Sequence, residues 1–414
     1  MKEVIKLFFL NCFLFSCFFL GGFIIGPVSI RIYLSIIMFI YLFINRYKFP
    51  LIKEVFLYFL FIIFYLIALL ANGEYFEIDF PKYFLGRYFV CFVVIYAILR
   101  LINNVKSLNS VIKFICYIGL ANALISILQF FGNSFAISVS TYFNPIHAEA
   151  GSLDYLDKFI DGDSEGVGAF GFFFSNVANG YFSVIPCLLI LYLINIEKRI
   201  VYKYTYVLFS LILLFSLFVV QQRLVMVLTL GFYCYLFFKK YKILTLPLVF
   251  ILVGILYIIV DVLNFGFQDL GRLQNLEDNE REIIYSLSLD FIKENLMFGG
   301  QLKSGEYLLS NGASVSSSHN FILNAFVYSG VFGAVILVYL FIKLLINCIA
   351  CLINNNKPTL YIARALIIYL LNSLTHNKSL VTGDEVIWIL FGLLIVSSKN
   401  MDENKKYENS LFNR

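Results

Sequence analysis

Apolar residues occupy most of this chain in blocks about as long as a bilayer is thick, with short polar breaks between them. A hydrocarbon core of about 30 Å takes roughly 20 apolar residues of helix. On that ruler the spans fall at 7–26, 29–45, 53–71, 84–102, 111–131, 172–194, 203–220, 222–238, 243–263, 320–347, 360–377 and 385–398. The pattern predicts an all-α polytopic membrane protein of about 12 transmembrane helices. The first block follows Lys2 and Lys6 as a signal peptide would, but it lacks a small-residue cleavage site and runs straight into the second block, so it reads as a retained helix. Two long polar stretches interrupt the pattern, at 132–171 and 264–318. Within the second, Ile283, Ile284, Leu287, Leu289 and Ile292 recur at helical spacing, which predicts an amphipathic helix at the membrane surface. Asp278 or Asn279 stands where its cap belongs, and Gly299-Gly300 where it ends.

Composition removes the soluble alternative. The 414 residues are 61% hydrophobic and 14% charged, with a mean hydropathy of +0.86, and no water-soluble core absorbs that much apolar surface. The net charge of +5 is distributed over alternate short connections: Lys2 and Lys6, Arg46 to Lys53, Arg100 to Lys113, Lys198 to Lys203, Lys239 to Lys242, Lys357 and Arg364, then Lys399 onward. Cytoplasmic loops carry such an excess, so both termini are expected there and the loops 132–171 and 264–318 on the outer side. A basic balance spread this way forms no continuous patch, and no nucleic-acid partner is expected. The eight cysteines fall in or beside apolar spans, where they act as small hydrophobes. Cys348 and Cys351 have C-x-x-C spacing but no second pair or nearby histidines, so neither a metal nor a redox role is read into them. With no repeat and no low-complexity linker, a single integral membrane domain over 1–414 is the simplest organisation.

Candidate chemistry is confined to the outer side. The first loop carries Glu149, Asp154, Asp157, Asp161, Asp163 and Glu165 against one Lys158. It lacks the spacing of a calcium loop, so a solvated acidic loop is favoured, and no metal or cofactor is expected. Arg223 stands in the tiny break Gln221-Gln222-Arg223 between two apolar runs. Arg281 falls in the first turn of the amphipathic helix, where free amides and a guanidinium favour a phosphate; a salt bridge to Glu277 or Glu280 is the plainer alternative. Arg87 enters the fourth span from the same side, where simple snorkelling is the default. His319 ends the second polar stretch, just before Asn320 and a long apolar helix, and so places an ionisable imidazole at a water–lipid boundary. A lipid-linked phosphate or pyrophosphate is the ligand that needs both the cations and the boundary.

Five stretches, in order, resemble the O-antigen polymerase and O-antigen ligase superfamily. They are GLANALISILQFFG at 119–132, GFFFSNVANGYFSVIPCLLILYL at 171–193, QQRLVMVL at 221–228, REIIYSLSLDFIKENLMFGGQ at 281–301 and SHNFILNAFVYSGVFGAVI at 318–336. The resemblance covers roughly residues 115–345 and implies a metal-independent glycosyltransferase of GT-C-type architecture. Its donor would be an undecaprenyl-pyrophosphate-linked oligosaccharide, used at the periplasmic face of the inner membrane. By the same resemblance Arg223 and Arg281 hold the pyrophosphate and His319 assists the acceptor hydroxyl. Arg87, Arg272 and Asn320 are carried as substrate-binding candidates, with Arg272 the rival of Arg281 for the loop cation. Between the branches a polymerase is favoured over a ligase acting on lipid A-core. The resemblance also implies a separate chain-length regulator, and the remaining partners are the membrane lipids. A lipid-linked oligosaccharide flippase is the non-enzyme alternative, but the span interiors look nearly charge-free, and Asn122 and Asn179 read as helix-packing residues and not as a transport path.

Overall fold

The computed structural model describes residues 2–25, 28–71, 85–144, 168–173, 175–241, 279–299, 306–308, 314–316, 318, 320–353, 357–375 and 379–412. These residues are almost entirely helical. In order they form α1 (Lys2–Phe19), α2 (Ile30–Ile44), α3 (Lys53–Ala71), a π-helical turn (Leu85–Phe89) leading into α4 (Val90–Leu101), α5 (Val105–Phe130), α6 (Ser134–Phe143), α7 (Asn176–Ile196), α8 (Ile200–Val220) and α9 (Arg223–Tyr241). There follow α10 (Asn279–Glu294), α11 (Phe321–Ile353), α12 (Lys357–Ser373) and α13 (Glu385–Phe412). Two small antiparallel hairpins complete the described structure, β1 (Ile24–Ile25) with β2 (Val28–Ser29) and β3 (Glu306–Leu308) with β4 (Ser314–Ser316).

Each predicted span coincides with one of these helices except 243–263, which lies outside the described residues. Five of the helices, α3, α5, α7, α8 and α11, are long and apolar enough to cross a membrane. Their outward surface says the same. On α11, Val335, Tyr339, Ile342, Ile346 and Ile349 are exposed at alternating intervals of four and three residues, an apolar stripe that water does not favour and lipid does. The protein is therefore an all-α membrane protein. The amphipathic segment of the second polar stretch is α10, as its periodicity predicts. The first polar stretch differs from expectation at its start, where Asn133 accepts a bond from Ala136 N (3.1 Å) and caps the short helix α6.

Two compact units divide the chain, 1–114 with 278–414, and 115–277. In the first, α3 packs along α11, and α4 packs along α13. Its centre is aromatic: Tyr58 lies 4.7 Å from Trp388 and 6.0 Å from Tyr88 between ring centroids, and Tyr65 meets both Tyr88 and Tyr328. In the second, α7 packs against α8 and α9. Pro186 interrupts the amide ladder of α7, and Gly119 of α5 fits against its ring, where a Cβ would collide.

Candidate functional site

The second unit builds the turn that carries Arg223. Helices α8 and α9 are joined by Gln221 and Gln222 alone, and Arg223 is the first residue of α9. Gln221 closes α8 in the left-handed region (φ 57°, ψ 32°), a conformation a non-glycine residue holds only when its surroundings impose it. The surroundings do so. Gly180 of α7 lies against the Gln222 side chain, Gly168 lies against the Val220 carbonyl, and Ala169 N donates to Val219 O at 3.0 Å. A side chain on Gly168 or Gly180 would push the turn away.

The segment 168–173 that supports this turn is itself gripped by a fully buried polar network. Gln129 Oε1 accepts from Phe170 N (3.0 Å) and Gly171 N (2.7 Å), while its Nε2 donates to Ala136 O, Ser140 Oγ and Gly171 O. Asn122 Oδ1 accepts from Phe172 N at 2.9 Å, and its Nδ2 donates to Asn179 Oδ1 at 2.7 Å. Asn179 Nδ2 reaches Ser126 Oγ and Ala169 O. Each amide thus meets complementary partners on α5, α7 and the segment between them, which makes Asn122 and Asn179 the packing residues they were expected to be. Three of the five sequence stretches fold onto one another here: 119–132, 171–193 and 221–228.

The first unit joins the other two. Arg281 lies in the first turn of α10, and α10 packs against α11. The junction is backbone against backbone. Gly330 breaks α11 with φ 60°, ψ −170°, and the Val331 N–H donates to Leu296 O beyond the end of α10 at 2.9 Å. Gly299 (φ 69°) sits on Val327 O and Phe326 O, and Gly330 on the Met297 carbonyl. At the N-terminus of α11 Asn320 caps the helix, its Oδ1 accepting from Ile322 N (2.9 Å) and Leu323 N (3.2 Å). Ser318, fully buried, donates from Oγ to Asn324 Oδ1 at 2.7 Å. The residues before and after His319 in sequence are thereby fixed. His319 and Arg272 lie outside the described residues, as does the acidic run 149–165; of Arg223 and Arg281 the helix position is described and the side chain is not.

Arg87 sits in the π-helical turn before α4, and next to it is a cluster that sequence reasoning missed. The turn 379–384 between α12 and α13 packs on it: Gly383 (φ 67°) meets the Arg87 backbone, and the Cys91 thiol lies 3.0 Å from Arg87 O and 3.3 Å from Gly383 O. Tyr58 OH donates to Leu380 O (3.0 Å) and Tyr88 OH to Val381 O (2.9 Å). At the end of the turn stand two buried acids. Asp384 accepts from Tyr369 OH at 2.6 Å and from Val386 N at 3.0 Å, capping α13, while Glu385 pairs with Arg31 Nη1 at 2.6 Å. Both charges stand at span ends, Arg31 second in α2 and Glu385 first in α13, and not in span interiors. The available signal was an acid pair directly ahead of an apolar run and an arginine just inside another, and nothing local in sequence connects residues 31 and 385. An ion pair so enclosed persists only with further hydrogen bonds around it.

The chain matches no known protein-family model, and no curated protein sequence matches it.

Proposed function

We propose that this protein is a polysaccharide polymerase of the O-antigen polymerase and ligase type. It joins undecaprenyl-pyrophosphate-linked oligosaccharide units at the periplasmic face of the inner membrane, within a GT-C-type bundle of about twelve transmembrane helices. The observation that carries the reading is the locked junction of α10 with α11, through Gly299, Gly330 and the Val331–Leu296 bond. It ties α10, whose first turn holds Arg281, to α11, the helix that follows His319. A second support is the clamped turn that opens onto Arg223, since a cation that must meet a pyrophosphate has to be held before the substrate arrives.

In this reading the acceptor hydroxyl oxygen attacks the anomeric carbon of the donor sugar, and the bond from that carbon to the pyrophosphate oxygen breaks. The hydroxyl proton passes to the neutral imidazole of His319. Undecaprenyl pyrophosphate leaves with its negative charge held by the guanidinium forks of Arg223 and Arg281. Arg272 and Arg87 bind further phosphate or sugar oxygens. Because the Asn320 oxygen is committed to the cap of α11, its role in substrate binding falls to its amide nitrogen.

Purified full-length protein in proteoliposomes, given undecaprenyl-pyrophosphate-linked repeat units, should lengthen the glycan without moving it across the sealed bilayer. Arg223→Ala, Arg281→Ala and His319→Ala should each abolish lengthening while expression and membrane insertion persist, and lysine should replace either arginine poorly because a point charge does not reproduce the bidentate fork. Near-normal product from His319→Ala would overturn the assignment of the base.

A further inference from the structure

A cavity of about 490 Å³ opens in the first unit, at the end of α4, against the α2–α3 connection and the middle of α13. Its wall includes the polar side chains of Arg100, Lys399, Tyr47 and Asn103 together with the aliphatic ones of Ile52 and Ile395. Among the described residues that line it there is no carboxylate. Arg100 lies in the last turn of α4, and its Nε is enclosed without an acceptor. A third cation, Lys6, stands over the ring of Tyr47, 5.7 Å from its centre. Tyr96 OH donates to Pro50 O at 3.2 Å and crosses the Phe49 ring edge to face, which fixes the connection that forms one wall.

The position decides what such a cavity takes. At Lys399 the sequence of α13 passes from the apolar run VIWILFGLLIV to the charged run KNMDENKK, and at Arg100 the apolar run of α4 ends. The cavity therefore lies at the level where the membrane gives way to water, and cations and aliphatic side chains share its wall. That is the arrangement of a phospholipid at its glycerol and phosphate. The volume falls within the roughly 300–1,000 Å³ of ordinary small-ligand sites. We infer that this cavity is a binding site for the phosphate of an anionic phospholipid headgroup, held by Arg100 and Lys399 with the acyl chains leaving past Ile52 and Ile395.

The inference is independent of the polymerase reading and is tested without any glycan. Full-length protein, stripped of lipid in detergent and offered equimolar phosphatidylglycerol and phosphatidylethanolamine, should retain phosphatidylglycerol preferentially in native mass spectra. Arg100→Gln and Lys399→Gln should each lower that preference about fivefold, the worth of one cation near an anionic surface. The charge-keeping pair Arg100→Lys with Lys399→Arg should preserve it, which separates loss of charge from loss of fold. Equal retention of the two lipids by the unaltered protein would overturn the site, as would an unchanged preference in the folded double Gln variant. Inorganic phosphate at millimolar concentration displacing the lipid would overturn the lipid assignment in favour of a free anion.

Discussion

Arg31 and Glu385 show at the scale of single residues how a membrane protein holds a charge it cannot leave alone. They meet at 2.6 Å, with the Glu385 side chain only 8% exposed. Neither partner tolerates the loss of the other, because the survivor would remain buried and uncompensated, a penalty of about 3–5 kcal/mol. Arg31→Met and Glu385→Leu should therefore each lower the melting temperature of the detergent-solubilised protein, and the double substitution should recover most of the loss. Trp388, the single tryptophan, lies three residues beyond Glu385 and fully buried, so its fluorescence reports the transition. If both single variants melt like the unaltered protein, the pair contributes nothing to folding and its place beside the Arg87 turn must be explained by substrate instead.

Among the elements, the contact of α10 with α11 depends on glycine more than on any side chain. Gly330 has φ 60° and ψ −170°, a region essentially reserved for glycine, and lies on the Met297 carbonyl, so a methyl group there meets both a strained backbone, about 1–3 kcal/mol for an L-residue, and a collision that only separation of the helices relieves. Gly330→Ala should abolish glycan lengthening and lower the melting temperature, whereas Gly231→Ala on α9, where a Cβ meets open space, should change neither. Activity intact in a folded Gly330→Ala protein would show that α10 need not be locked to α11. The elements themselves are written plainly in the sequence. Blocks of about twenty apolar residues announce spans, and the spacing of Ile283, Ile284, Leu287 and Ile292 announces α10. The junctions are not. That Gly330 breaks α11 against α10, that Gln129 grips a segment some forty residues away, and that Arg31 finds Glu385 across 354 positions are matters of packing, which leaves no periodic trace in the chain. Arg223 was legible because its break is so short, two residues between two apolar helices, yet nothing there predicts that Gly168 and Gly180 would be the wedges that hold it.

For the whole molecule the proposed reading sets a topology, and the topology sets the charge the acceptor meets. In that reading the lysines and arginines mark the cytoplasmic side, which puts 132–171 and 264–318 in the periplasm. Single cysteines at Ser152 and Ser310 should react with a membrane-impermeant thiol reagent in spheroplasts, and protection of both until lysis would reverse the orientation. The same two loops are net acidic: six acids against Lys158 in the run 149–165, and an excess of acids again from Asp269 to Glu306. An acidic outer surface repels an anionic lipid A-core, the acceptor of a ligase, at distances up to about the 8–10 Å Debye length. A polymerase transfers to the sugar of a second lipid-linked unit and needs positive charge only at the pyrophosphates, where the proposed reading puts Arg223 and Arg281. The branches part on deletion of the gene in a strain with smooth lipopolysaccharide. Loss of a polymerase leaves core bearing a single repeat on a lipopolysaccharide gel, because ligation still proceeds. Bare core, with long glycan accumulating on undecaprenyl pyrophosphate, would make the protein the ligase, and the acidic loops would then have to be bridged by divalent cations for the core to approach at all.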